Sequence, residues 1–130
     1  MNQDFVSYEL AVKLKEKGFN DNCHAYYEPL KHCLNFSRVF KTNSLAENYK
    51  CVTAPTISQV LKWLREEKKI HICINIYDDG WFFDVSSFYK ADTGVYEIKL
   101  PYMSSNVTPD YDSYEQATLA GIKFCLNNLI

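Results

Sequence analysis

The segment Ile70-His71-Ile72-Cys73-Ile74-Asn75-Ile76-Tyr77 places four isoleucines in strict alternation with four polar or amphipathic residues. A period of two marks a strand with one dry face and one wet face, because successive side chains leave an extended backbone on opposite sides. Asp79-Gly80 follows directly, and this pair suits a two-residue type I′ turn, where glycine takes positive φ freely and aspartate tolerates it. The return strand then starts at Trp81. Residues equidistant from the turn face each other: Tyr77 with Phe82, Ile76 with Phe83, Asn75 with Asp84 and Ile74 with Val85. In this register the apolar pairs share one face and Asn75/Asp84 lies on the other, so turn chemistry and side-chain pattern agree.

The flanking sequence supplies what the dry face needs. Residues 95–100 alternate as a third strand that Pro101 ends. Upstream, Thr56 and Gln59 form a capping box for a helix over 57–68, with Ile57, Val60, Leu61 and Leu64 as its stripe and Trp63 at the margin. Downstream, Ser113 and Gln116 cap a helix that runs to the end of the chain, with Tyr114, Ala117, Gly121, Phe124, Cys125 and Leu126 on its apolar face. Near the start, Ser7 caps a helix over 8–17 whose buried stripe is Leu10, Ala11 and Leu14, and Gly18 stops it. The stretch 20–54 is poorly patterned, and short strands are expected at 23–27, 38–41 and 47–52. The fold class is α+β: an antiparallel sheet of three or more strands packed against two or three helices, in αβββα order toward the C-terminus. With 130 residues the chain is expected to form one domain, 1–130, around one core.

A net charge of -2 gives no overall positive field to draw in phosphate backbones or anionic lipid, so nucleic acid is disfavoured as a partner and a membrane is not expected. The first residues have neither a basic nor an apolar leader segment, and five cysteines without tight spacing read as reduced thiols, so a cytoplasmic setting is expected.

Few residues suggest chemistry. Cys23-His24 and His32-Cys33 form a mirrored set of soft and imidazole ligands, and a Cys/His nucleophile could be drawn from the same residues. Adjacent Cys-His cannot easily aim both side chains at one metal, however, and nothing in the sequence lowers a thiol pKa, so no metal site, cofactor or catalytic residue is assigned. Asp78, Asp79 and Asp84 cluster at the hairpin as turn and ladder residues rather than an acid/base pair. What stands out is the aromatic content, 15% of the chain. If helices bury the isoleucine face, Tyr77, Phe82, Asn75 and Asp84 lie on the other, where Tyr77 and Phe82 would anchor a protein partner. The alternative is that the N-terminal region folds over that face and hides it. Trp63 is the second candidate contact.

The segments Phe5-Val6-Ser7-Tyr8-Glu9-Leu10-Ala11, Ala54-Pro55-Thr56-Ile57-Ser58-Gln59-Val60 and 111–126 together resemble a group of short uncharacterised proteins from phages and mobile elements of gut bacteria, over nearly the whole chain. That resemblance implies a phage or prophage setting and brings no activity. The order of elements from residue 57 onward is also similar to the double-stranded RNA-binding domain. That family carries a lysine cluster at the start of its last helix, whereas Asp110, Asp112 and Glu115 stand there in this chain and would repel phosphate. The leading expectation is a small non-catalytic interaction or accessory module with a protein partner or a second copy of itself. A nucleic-acid-binding module and a zinc- or thiol-dependent enzyme are the alternatives.

Overall fold

The computed structural model describes residues 5–30, 33–46, 49–77, 80–90, 96–103 and 111–130. They form two compact units, 1–60 and 61–130, each with its own three-stranded antiparallel sheet.

The first unit begins with α1 (Tyr8–Glu16), and its ends form as the sequence dictates. Ser7 Oγ accepts from the Leu10 amide at 3.3 Å. At the other end Gly18, at φ 94°, and Phe19 turn their amides back to the carbonyls of Lys15 and Leu14, which closes the helix in a Schellman motif and folds Phe19 inward. Leu10, Ala11 and Leu14 are the buried residues of the helix. The poorly patterned stretch resolves into β1 (Cys23–Tyr27), β2 (Leu34–Lys41), the single helical turn α2 (Asn43–Ala46) and β3 (Val52–Thr53), in sheet order β2-β1-β3. The first strand has the expected bounds. The second starts four residues earlier than the expected 38–41, because pairing with β1 reaches back to Leu34. The third, expected at 47–52, is instead the two residues Val52–Thr53, and α2 stands where no period could announce it, since four residues are too few to show one.

Two polar contacts hold this unit together from inside. Tyr27 donates its hydroxyl to the Val6 carbonyl at 2.6 Å, and burial first, then the Glu9 carboxylate, pushes its phenol above the usual range. Asn43, 6% exposed, donates to the Phe19 carbonyl at 2.7 Å and accepts from both the amide and the hydroxyl of Thr53 at 3.0 Å.

α3 (Ile57–Glu67) has the full reciprocal capping box: Gln59 N donates to Thr56 Oγ1 at 3.1 Å, and Thr56 N donates to Gln59 Oε1 at 2.9 Å. Val60 and Leu64 are fully buried.

In the second unit β4 (Ile70–Tyr77), β5 (Gly80–Lys90) and β6 (Tyr96–Met103) form the sheet β4-β5-β6, followed by α4 (Tyr114–Asn128). This is the αβββα order read from the sequence. The register differs from the expected one by two residues: Tyr77 pairs with Gly80, Ile76 with Trp81, Asn75 with Phe82, Ile74 with Phe83 and Ile72 with Val85. The expected turn pair straddles this boundary; Asp78 and Asp79 lie outside the described residues, and Gly80 already belongs to the strand. A slip of two preserves the faces where a slip of one would have exchanged them, so the isoleucines still share a side with Phe83 and Val85. Asn75 and Asp84 become diagonal neighbours and still meet, with Asn75 Nδ2 donating to Asp84 Oδ2 at 2.8 Å.

Three further expectations are corrected. Pro101 does not end the third strand but pairs with Ser86 inside β6, an edge position that tolerates a missing amide donor. At α4, Ser113 Oγ accepts from Gln116 N, yet Gln116 Oε1 accepts from Asp112 N rather than from the cap residue. The buried face of α4 is Ala117, Thr118, Gly121, Ile122, Cys125 and Leu126, while Tyr114 is 47% exposed. Gly121 is what brings helix and sheet together: a Cβ added there would stand 2.9 Å from Ile72 Cγ2 and 3.3 Å from Phe83 Cγ.

Candidate functional site

The side of the β4-β5 hairpin turned toward α4 is filled. Ile70, Ile72, Phe83 and Val85 are 8% exposed or less, and the Phe83 ring neighbours those of Tyr111 (6.1 Å) and Phe124 (6.0 Å). The filling stops short of the hairpin tip. Ile76, expected to point inward with the other isoleucines, is 63% exposed. It sits near the end of an edge strand, whereas the first turn of α4 places the Tyr114 ring on Trp81 of the next strand, edge-on at 5.7 Å. Main-chain bonds between Trp81 and Tyr111, 2.9 and 3.0 Å, tie the approach to α4 to β5 at the same place. Sequence reasoning missed this Ile76/Trp81/Tyr114 grouping. It treated the isoleucines as one face and had no measure of how far along that face the helix would reach.

The opposite side of the hairpin stays partly open. Cys73, Asn75, Phe82, Asp84 and Ser86 are half-buried, and His71 is exposed. Asn75 occupies the centre of a small polar network. Its amide nitrogen donates to the Asp84 carboxylate, and its oxygen accepts a long contact of 3.9 Å from the Cys73 thiol. Phe82 lies directly across from Asn75 in the ladder. Of the contact residues expected from the sequence, Asn75, Phe82 and Asp84 are therefore brought together. The Tyr77 backbone continues the same strand, with its side chain outside the described residues. Trp63 does not belong with them: it is 4% exposed, inside the molecule rather than at a margin, with Lys68 Nζ 5.3 Å from its ring centroid.

The thiol and imidazole candidates do not converge. Cys23 and His24 alternate across β1, the first buried and the second exposed, so they leave the strand on opposite sides. His24 Nδ1 lies 3.2 Å from the Ser37 carbonyl, Cys33 is exposed, and His32 lies outside the described residues. Among the described residues no three His, Cys, Asp or Glu side chains gather as a metal site. Burial pushes the Cys23 thiol up to about 11 and the Cys125 thiol up to about 12, the reverse of what a nucleophile needs. A mild disulfide reagent at neutral pH is expected to label Cys33 quickly and Cys23 and Cys125 only after unfolding, as peptide mass mapping would show. Labelling of Cys23 at the rate of Cys33 would contradict the burial. The same shifts make the native state lose stability as pH rises from about 9 toward 11 and 12, because there the unfolded chain ionises these thiols first.

A cleft of about 320 Å³ in the first unit is lined by Lys15, Gly18, Phe19, Asn20, Asn43 and Ser44. Its asparagines are already engaged in structural bonds, Asn20 Oδ1 with the Ser44 amide and Asn43 as described, so they are not spare ligand groups. No helix among the described residues is long and apolar enough to cross a membrane. Comparison with protein-family models, curated proteins and solved structures finds no match to this chain.

Proposed function

We propose that the protein is a small non-catalytic interaction module, a cytoplasmic accessory protein of phage or prophage setting, that binds a protein partner through the open side of the β4-β5 hairpin. The observation that carries this reading is the contrast between the two sides of one hairpin. One is filled by α4, and the other holds Phe82 half-buried beside an amide and a carboxylate held together by a hydrogen bond. An aromatic ring across the ladder from a hydrogen-bonded amide and carboxylate is the composition of a contact centre, and it fits a partner with an apolar side chain flanked by a basic or amide donor. The buried thiols and the separated Cys23 and His24 leave the metal and thiol-enzyme alternatives without support.

The test is the double substitution Tyr77→Ala/Phe82→Ala, compared with the wild type for oligomeric state and for affinity toward partners recovered from the host. A loss of roughly thirtyfold or more in partner affinity is expected, the scale of a contact-centre aromatic. A variant that keeps its fold and changes neither oligomeric state nor partner binding would remove the reading.

The αβββα order of the second unit is the one observation that favours a nucleic-acid-binding module. Against it, the exposed Asp112 and Glu115 open α4 with negative charge. Elution from heparin well below physiological salt is expected, and retention above it would restore that alternative.

A further inference from the structure

The two edges of the second sheet differ in how they are protected. β6, at one edge, contains Glu97, Lys99 and Pro101, and its pairing with β5 shifts register between Ser87 and Phe88. Charges, proline and bulges are the devices by which natural sheets prevent another strand from adding to an edge. β4, at the other edge among the described residues, has none of them: Ile70–Tyr77 contains no Asp, Glu, Lys, Arg or Pro and pairs with β5 through eight residues without a shift. It also bears Ile76, 63% exposed, beside its own edge.

We propose that the protein self-associates by antiparallel pairing of β4 with β4 of a second copy, making one continuous six-stranded sheet across a two-fold axis. The strand is complementary to itself. An axis normal to the sheet keeps the isoleucine side of each copy on the same face, so even-numbered residues oppose even-numbered ones and Ile76 is covered by an isoleucine of the second copy. Because β4 holds no charged side chain, no like charges are brought together by the pairing, which distinguishes it from an edge built to repel its copy. This proposal uses the edge of the strand and does not depend on the partner-binding role of the open side.

Sedimentation equilibrium of the full chain over a wide concentration range is expected to show a monomer-dimer equilibrium. Ile76→Lys places a charge on each strand at a position that is exposed in the single copy, so the variant should keep the wild-type circular dichroism while weakening the dimer about tenfold or more. His71→Lys, also at an exposed position, should weaken it in the same direction. In the wild type, amide exchange along β4 should slow as concentration rises while that of β6 stays constant. A monomer at every concentration, a dimer that both lysine variants leave intact, or β4 amides whose exchange ignores concentration would each overturn the proposal. Tyr77 belongs to β4 itself and His71 to the open side, so the arms that separate the two ideas are the single substitution Phe82→Ala, which leaves β4 unaltered, and Ile76→Lys, on the α4 side of the sheet.

Discussion

Gly121→Leu is expected to lower the unfolding free energy by roughly 3 kcal/mol, the upper end of the cost of overpacking a filled interior. The first added carbon alone would lie 2.9 Å from Ile72 Cγ2 and 3.3 Å from Phe83 Cγ. Neither neighbour can easily yield. The γ-methyl of isoleucine is fixed to a branched carbon, and Phe83 is 3% exposed with two aromatic rings packed near it. The helix must lift from the sheet or the sheet must bend. Gly121→Ala should cost less, about 1 kcal/mol, because alanine regains about that much through its better helix propensity while still meeting Ile72. Urea unfolding followed by circular dichroism measures both. A Gly121→Leu protein with the wild-type midpoint would mean that α4 does not rest on β4 and β5 as described.

Asn43→Ala should cost about as much, roughly 3 kcal/mol, for a different reason. The Asn43 side chain bridges the chain just after α1 to β3, and its removal takes a hydrogen-bond partner from the Phe19 carbonyl and from the Thr53 amide and hydroxyl. Phe19 and Thr53 are each 1% exposed, so water cannot readily replace the lost partner. Thr53→Val removes the side-chain hydroxyl, with its contacts to Asn43 and to the Cys23 thiol, and should cost about 1 kcal/mol. If the two substitutions proved equally mild in urea unfolding, the bridge would not be holding the first unit together. Both effects are large beside the total stability of about 5–15 kcal/mol usual for folded domains.

The parts of the fold that could be read from the sequence are those where local chemistry and periodic pattern point to the same answer. Ser7, Gly18, the Thr56/Gln59 pair and Ser113 each fix a helix end through a side chain or a backbone angle, and each is found where expected. The isoleucine alternation fixed the faces of β4 but not its partner residues, because the face pattern repeats every two residues and a two-residue slip leaves it unchanged. Choosing between the two registers depended on where the turn falls, and Asp78-Asp79-Gly80 offers more than one way to turn. The middle of the first unit was not legible, because Asn43 matters through contacts to residues far from it in sequence, Phe19 and Thr53, and a lone asparagine announces nothing. Trp63 and Ile76 exchanged their expected environments for a similar reason. Burial at the margin of a stripe depends on what packs beside it, which the stripe does not encode. Of the candidate contact side, Asn75, Phe82 and Asp84 were found together because strand parity alone places them there.

That parity gives the two sides of the β4-β5 hairpin different environments: α4 fills one, and the other holds half-buried side chains. Phe82 and Phe83 are adjacent in one strand and should experience opposite environments. Nuclear magnetic resonance of the two rings in the presence of a soluble paramagnetic relaxation agent tests this directly. Broadening is expected to be clearly stronger for the half-buried Phe82 ring than for Phe83, which is 3% exposed. Equal protection of both rings, or broadening of Phe83 alone, would contradict it.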